Sequence, residues 1–329
     1  MKSIEIPLSH AEYEVLKVLS KSLSIREISR YTGLPYIKVY RALSNLRKKA
    51  NIRSIFDIRK TNLILVNIIC EKDKDVVSKK HFFEIYKAKI ASSKGLYLKG
   101  YLVPCKYVDL FYEEFKGRIL DNIKGLDYIF WVYDPKFIKY DAKRKILKAD
   151  LDGLIEYVEK DNNKIDKIEC TDFSPDKIDM ALILLKYNNM FRKIYPLYKK
   201  LAEEDKFLPL VSKQVLSYHL REHVLKNYWK FNTLFFKLGY NLDILYLKGY
   251  GVYEICSSLI KIPIFWLAIV EERKCLLFGT IINQYMQLVE KVIERFELSK
   301  SIEMSVWTIG GMKISIPKLW RYIIDKKWI

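Results

Sequence analysis

The 329-residue chain contains no Cys-x-x-Cys pair. Its five cysteines, Cys70, Cys105, Cys170, Cys256 and Cys275, lie far apart and are odd in number. That pattern excludes a zinc ribbon and reads as a reduced set without a disulfide framework. Glycine and proline are scarce, at 12 and 9 residues, which excludes collagen-like and low-complexity structure and leaves little material for Gly-rich phosphate cradles. Gly249-Tyr250-Gly251 is not followed by a P-loop Lys-Ser/Thr, Gly310-Gly311 reads as a turn, and no G-x-S-x-G elbow occurs. The longest uncharged apolar run, Ile262 to Val270, has nine residues, where a membrane helix needs ~20. The first residues lack an apolar leader segment, so the chain is expected to stay in the cytoplasm without a membrane partner.

What the chain has is apolar mass and positive charge. Half of it is apolar, enough for two or more cores at ~100 to 200 residues per domain. Lys+Arg number 58 against 39 Asp+Glu, a net charge of +19. The excess is concentrated: residues 1–60 carry 13 bases and 5 acids, and residues 176–237 carry 12 bases and 6 acids. Two separated basic blocks are the pattern expected where each meets a polyanion. The many Tyr and Phe residues raise RNA stacking, but no RNP-like aromatic strand motif is present.

The first block spells a helix-turn-helix. Leu8-Ser9 precedes a helix with Tyr13, Leu16, Val18 and Leu19 near one face. A second helix opens at Ser24-Ile25-Arg26-Glu27, an S-x-x-E capping box, and stops at Gly33. Pro35 then starts a third helix whose Val39, Leu43 and Leu46 recur at i, i+4, i+7. Residues 53–60, with Ile55 and Ile58 among charges, suit the strands of a basic wing. The second block repeats this order, with a helix from Asp176 to Leu185, another from Arg192 to about Asp205, and a third from Ser212 to Lys226, Ser212 as its N-cap.

The stretch after each block repeats as well. After the first come a strand from Leu63 to Cys70, a helix from about Ser78 to Ile90, strands around Gly95 to Val103, a helix from Tyr107 to about Leu120 and a strand from Asp127 to Tyr133. After the second come Ile244 to Leu247, a helix from Val252 to Ile260, strands Ile264 to Val270 and Lys274 to Ile281, a helix from Gln284 to Phe296, and a strand Ile302 to Ile309. The later copy reads β-α-β-β-α-β, the ferredoxin-like order. Between the copies, Leu147, Leu151, Leu154, Ile155 and Val158 follow a helical period, with Asp161 to Lys164 as a linker.

The run Ile25-Arg26-Glu27-Ile28-Ser29-Arg30-Tyr31-Thr32-Gly33-Leu34, with Val39, Arg41, Leu43 and Leu46, resembles the helix-turn-helix of Lrp/AsnC-type archaeal regulators. The D-x-x-D opening (Asp176, Asp179) with Leu184-Leu185, and Val211-Ser212 before the third helix, are similar. The resemblance implies a tandem α+β chain of two winged helix-turn-helix domains (residues 1–62 and 173–238) alternating with two ferredoxin-like αβ domains (63–138 and 239–311), a helical connector and linker (139–172) and a C-terminal tail (312–329). Pro35 departs from the family's usual Ser/Thr cap, and the double length is atypical.

On this reading the chain is a chromosome-associated transcriptional regulator, not an enzyme, with double-stranded DNA and the transcription machinery as partners and no cofactor or metal. The expected DNA-reading residues are Tyr36, Lys38, Tyr40, Arg41, Ser44, Asn45, Lys48, Lys49 and Arg53 in the first copy. In the second they are Lys213, Gln214, Ser217, Tyr218 and Arg221. Arg and Asn suit base edges and Lys the phosphates. Both halves in one chain suggest an intramolecular pseudo-dimer reading two unlike half-sites, or a homo-oligomer. Two other readings stay open. One is a protein-assembly scaffold using the same helix faces. The other is a zinc-dependent hydrolase built on His219-Leu220-Arg221-Glu222-His223, an H-x-x-E-H spacing with Glu271, Glu272 or Glu290 available as a third ligand.

Overall fold

The computed structural model describes residues 4–71, 82–91, 95–156, 174–188, 190–239, 241–296, 301–315 and 317–328. Strand β1 (Glu5–Pro7) leads into helix α1 (His10–Leu19), where Ser9 and Glu12 close a capping box, the Glu12 amide donating to Ser9 Oγ at 3.3 Å and the Ser9 amide to Glu12 Oε2 at 2.6 Å. Helix α2 (Ile25–Thr32) starts at Ser24, whose Oγ accepts from the Glu27 amide, and ends at Gly33 with φ 69°. That left-handed conformation suits glycine and turns the chain sharply into α3 (Tyr36–Lys49). Val39, Leu43 and Leu46 are buried as their spacing requires.

Strand β2 (Ala50–Phe56) follows, then a 3-10 turn over Ile58–Thr61. The expected wing over residues 53–60 is therefore only half strand, and β2 pairs with residues Trp229–Phe236 of the second copy. The first αβ domain comprises β3 (Leu63–Glu71), β4 (Phe83–Ile90), β5 (Leu96–Pro104), α4 (Val108–Glu114) and β6 (Ile119–Lys124). Residues 83–90 are thus a strand where a helix was expected, because Phe83 to Ile90 also fits period two once it pairs with β5. Residues 78–81 of that expected helix lie outside the described residues. The helix predicted to reach about Leu120 stops at Glu114, and β6, not Asp127 to Tyr133, is the fourth strand.

The connector differs from expectation too. Strands β7 (Asp127–Phe130), β8 (Ile138–Asp141) and β9 (Ile146–Ala149) precede a short helix α5 (Leu151–Glu156). Leu147 lies in β9, not in a helix, and pairs with Ile6 of β1. The sheet β1-β9-β8 supplies the first winged helix with its strands. Val158 and the Asp161 to Lys164 linker fall outside the described residues.

The second winged helix has α6 (Lys177–Asn188), α7 (Ile194–Glu204) and α8 (Lys213–Tyr218), the last continuing as a π-helix over His219–Tyr228 before β10 (Trp229–Phe236). Ser212 caps α8 as expected, its Oγ accepting from the Val215 amide at 3.3 Å. The second αβ domain runs β11 (Leu242–Lys248), α9 (Val252–Leu259), β12 (Phe265–Glu271), β13 (Lys274–Thr280), α10 (Met286–Arg295) and β14 (Glu303–Ile314), matching the sequence reading element for element. The tail holds β15 (Ile323–Ile324) and β16 (Lys327–Trp328), with Trp320 and Trp328 buried.

The strands order as β6-β3-β5-β4 in the first αβ domain and β14-β11-β13-β12 in the second, the latter extended by β7. Both are the 4-1-3-2 order of the ferredoxin-like motif, so the α+β class with two winged helices alternating with two such domains stands. In the first, Val66, Ile68, Tyr101, Val103, Phe111 and Phe115 close the core between sheet and helix. Two compact units divide the chain: the described residues of Met1–Ile52, Gly125–Asp166 and Asn232–Ile309 form one, and those of Arg53–Lys124, Lys167–Phe231 and Gly310–Ile329 the other. Each unit therefore combines the winged helix of one half with the αβ domain of the other.

Cys256 of α9 and Cys275 of β13 lie side by side, their Cα atoms 7.2 Å apart. Helix–sheet packing brings together residues 19 apart whose spacing carries no signature. No helix among the described residues is long and apolar enough to cross a membrane.

Candidate metal centre of the second winged helix

Four side chains that could ligate a cation converge where α6 meets the third helix of the second winged helix. Asp176 precedes α6 and caps it, its Oδ1 accepting from the Asp179 amide at 2.8 Å. Its Oδ2 lies 3.4 Å from His219 Nδ1. Asp179, three residues on, is turned to the same side by the helical period. Its two oxygens are split between two rings: Oδ1 is 2.9 Å from His219 Nδ1, and Oδ2 is 3.1 Å from His223 Nδ1. The imidazoles, four residues apart on one face, have centroids 4.7 Å apart, and the Tyr218 ring stands edge-on to His223 at 5.3 Å.

The site is shielded but open at one end. Asp179 and His219 side chains are 7% and 14% exposed, His223 31%. Burial pushes the Asp179 carboxyl up, the Asp176 charge beside it adds to that, and the two histidines offset part of the rise. Burial and the same two aspartates push the Tyr228 phenol up to about 12. Burial, with Asp176, does the same to Tyr198, whose hydroxyl donates to the Pro209 carbonyl at 2.9 Å. The negative charge is concentrated, and a cation would relieve it.

One donor atom from each of Asp176, Asp179, His219 and His223 lies within 4.8 Å of the others. A tetrahedral ion with ~2.0 to 2.2 Å bonds has ligand–ligand edges of ~3.3 to 3.6 Å, so one oxygen from each aspartate and one nitrogen from each histidine would draw in from the 4.8 Å span to close on an ion. The sequence shows both halves of this constellation separately, the histidines in H-x-x-E-H and the aspartates in D-x-x-D. The signal that joins them is two helical motifs, i, i+3 and i, i+4, on helices that a helix-turn-helix packs together. The hydrolase geometry itself fails, since Glu222 is exposed and outside the cluster. His10 lies elsewhere, against Tyr140, and His81 is outside the described residues.

The expected DNA-reading residues are placed as helix faces. Tyr36, Lys38, Tyr40, Arg41, Ser44, Asn45 and Lys48 are exposed on α3, as are Lys213, Gln214, Ser217, Tyr218 and Arg221 on the later helix. Two of the proposed phosphate ligands are engaged internally. Lys49 Nζ donates to the Pro7 carbonyl and to the buried Glu12 carboxylate, both at 2.9 Å. Arg53 lies over the Tyr187 ring at 5.5 Å.

No protein-family model and no curated protein matches the chain. Among solved structures it is similar to the siroheme decarboxylase NirDL in complex with an iron-uroporphyrin III analogue, at 11% identity over 92% of each chain with a TM-score of 0.48. This finding corrects the expectations of a DNA-binding transcriptional regulator, of a non-enzyme and of double-stranded DNA and the transcription machinery as partners. Paired winged helices do not by themselves imply an operator, because a fold carries many functions and only the site decides among them. What remains of the Lrp/AsnC resemblance is architecture.

Proposed function

We propose that the chain is a divalent transition-metal-binding protein whose ion is held by Asp176, Asp179, His219 and His223. The observation that carries this reading is the convergence of four donor atoms within 4.8 Å from two helices of one winged helix. Two imidazole nitrogens and two carboxylate oxygens suit Zn²⁺, Fe²⁺, Co²⁺ or Ni²⁺. Mg²⁺ and Ca²⁺ prefer oxygen alone, and Cu⁺ needs sulfur. Two carboxylates also balance a divalent charge at a site that burial otherwise penalises. A hydrogen-bonded cluster without an ion leaves two carboxylates side by side, with the Asp176 charge raising Asp179, where an ion would offset both.

Metal content after incubation with Zn²⁺ and desalting tests this. The full chain is expected to retain about one equivalent, Asp179→Ala and His223→Ala to lose it, and Glu222→Gln to keep it, since Glu222 stands outside the cluster. Retention that is equal in Asp179→Ala and the unaltered chain contradicts the reading. So does uptake of iron-uroporphyrin III, the ligand type of the similar solved structure, by a chain that takes up no divalent ion.

A further inference from the structure

We infer that the ion is the clasp that orders the third helix of the second winged helix, a step that rests on the metal-binding reading above. The two third helices are anchored very differently. On α3, Val39, Ala42, Leu43 and Leu46 are all buried in 14 residues. Its counterpart, residues 213–228, buries only Leu216 and Val224. Its ends are tied: Ser212 caps the start, the Lys60 ammonium donates to the Asn227 carbonyl at 3.0 Å, and the Asp57 amide donates to the Tyr228 carbonyl at 2.7 Å. Between those ties the apolar grip is weak, and that stretch carries both histidines.

Winding points to the same place. The α-helical turn gives way to π-helix at His219, and the π winding runs ten residues, whereas π segments are usually a single turn and occur at functional sites. A backbone that departs from its preferred winding persists where something outside it fixes the geometry. Among the described residues, the ionisable groups that reach across to that stretch with matched geometry are Asp176 and Asp179, on His219 and His223. Hydrogen bonds between the rings and the carboxylates can be exchanged for water at an edge that is 31% exposed. Four coordinate bonds to one ion hold both helices at once. The loaded site therefore presents the face of Lys213, Gln214, Ser217, Tyr218 and Arg221 in one orientation, and the ion-free site releases it.

Hydrogen exchange of the full chain, dialysed against chelator and then given one equivalent of Zn²⁺ or Mg²⁺, tests this. Zn²⁺ is expected to slow exchange of the amides of 219–226 at least tenfold. Those of 36–49, on α3, are expected to stay unchanged, as is the whole chain with Mg²⁺. Stoichiometric Zn²⁺ retention with no change at 219–226 overturns the clasp and leaves the metal site standing. No Zn²⁺ retention overturns both. His223→Ala should abolish the Zn²⁺ effect, and unchanged protection of β3 (Leu63–Glu71), which belongs to the same compact unit as His223, verifies that this variant is folded. Should His223→Ala not fold, the comparison of chelated and loaded unaltered chain decides alone.

Discussion

At the scale of single residues, the charges that sequence counting treats as a reserve for a polyanion are partly spent on the fold. Asp205 is the clearest case. Its side chain has no exposed surface, and it accepts from Trp320 Nε1 at 3.2 Å and Arg321 Nε at 2.8 Å, with Lys318 Nζ at 3.3 Å. Burial works to raise its carboxyl, but Arg321, the Phe207 amide, Trp320 and Lys318 outweigh it and hold it at about 2. A depressed carboxyl contributes stability that is complete above its unfolded value near 3.8 and is lost as pH falls through about 2. Asp205→Asn should therefore lower stability at neutral pH by roughly 2 kcal/mol, the range for hydrogen bonds to a charged group. The difference from the unaltered chain should shrink between pH 4 and 2, as read by denaturant titrations across that range. A constant difference would mean that the carboxylate's charge is not what matters.

At the scale of elements, glycines separate two kinds of constraint. A Cβ at Gly33 meets nothing within 4 Å, so its cost is purely the left-handed backbone at φ 69°, and Gly33→Ala should cost about 1 kcal/mol. Gly100 of β5 lies under the Tyr86 ring, whose hydroxyl donates to buried Asn67, and a Cβ there overlaps the ring. Gly100→Ala should cost more than Gly33→Ala, and thermal melts of the two variants rank them. Elements are legible in the sequence where one period dominates. The second αβ domain has buried strands bounded by turn residues and helices whose buried residues recur at helical spacing, Val252, Ile255, Cys256 and Leu259 in α9 and Leu288, Val289 and Val292 in α10, so its six elements are readable. Phe82, Tyr86 and Ile90 satisfy a helical period while Tyr86, Ala88 and Ile90 satisfy a strand's, and only pairing with β5 decides. Leu147 fits a helical period for the same reason, and only its pairing with β1 places it in a strand. The candidate metal centre is half legible, because its ligands lie 40 residues apart and a single chain gives no register between two helices.

At the scale of the whole molecule, the chain holds two copies of one plan that differ at their third helices. The first winged helix has a well-buried third helix. The second has less apolar anchorage and carries two aspartates and two histidines beside it, and the account's central claim is the proposal that these four residues hold a metal ion. X-ray absorption at the zinc edge of the Zn²⁺-loaded chain tests it most directly. The account predicts an ion bound by nitrogen and oxygen at ~2.0 to 2.2 Å, with outer-shell scattering from two imidazoles, and no retained ion to give that spectrum in His223→Ala. A shell containing sulfur, or imidazole scattering that His219→Ala and His223→Ala leave unchanged, would contradict it.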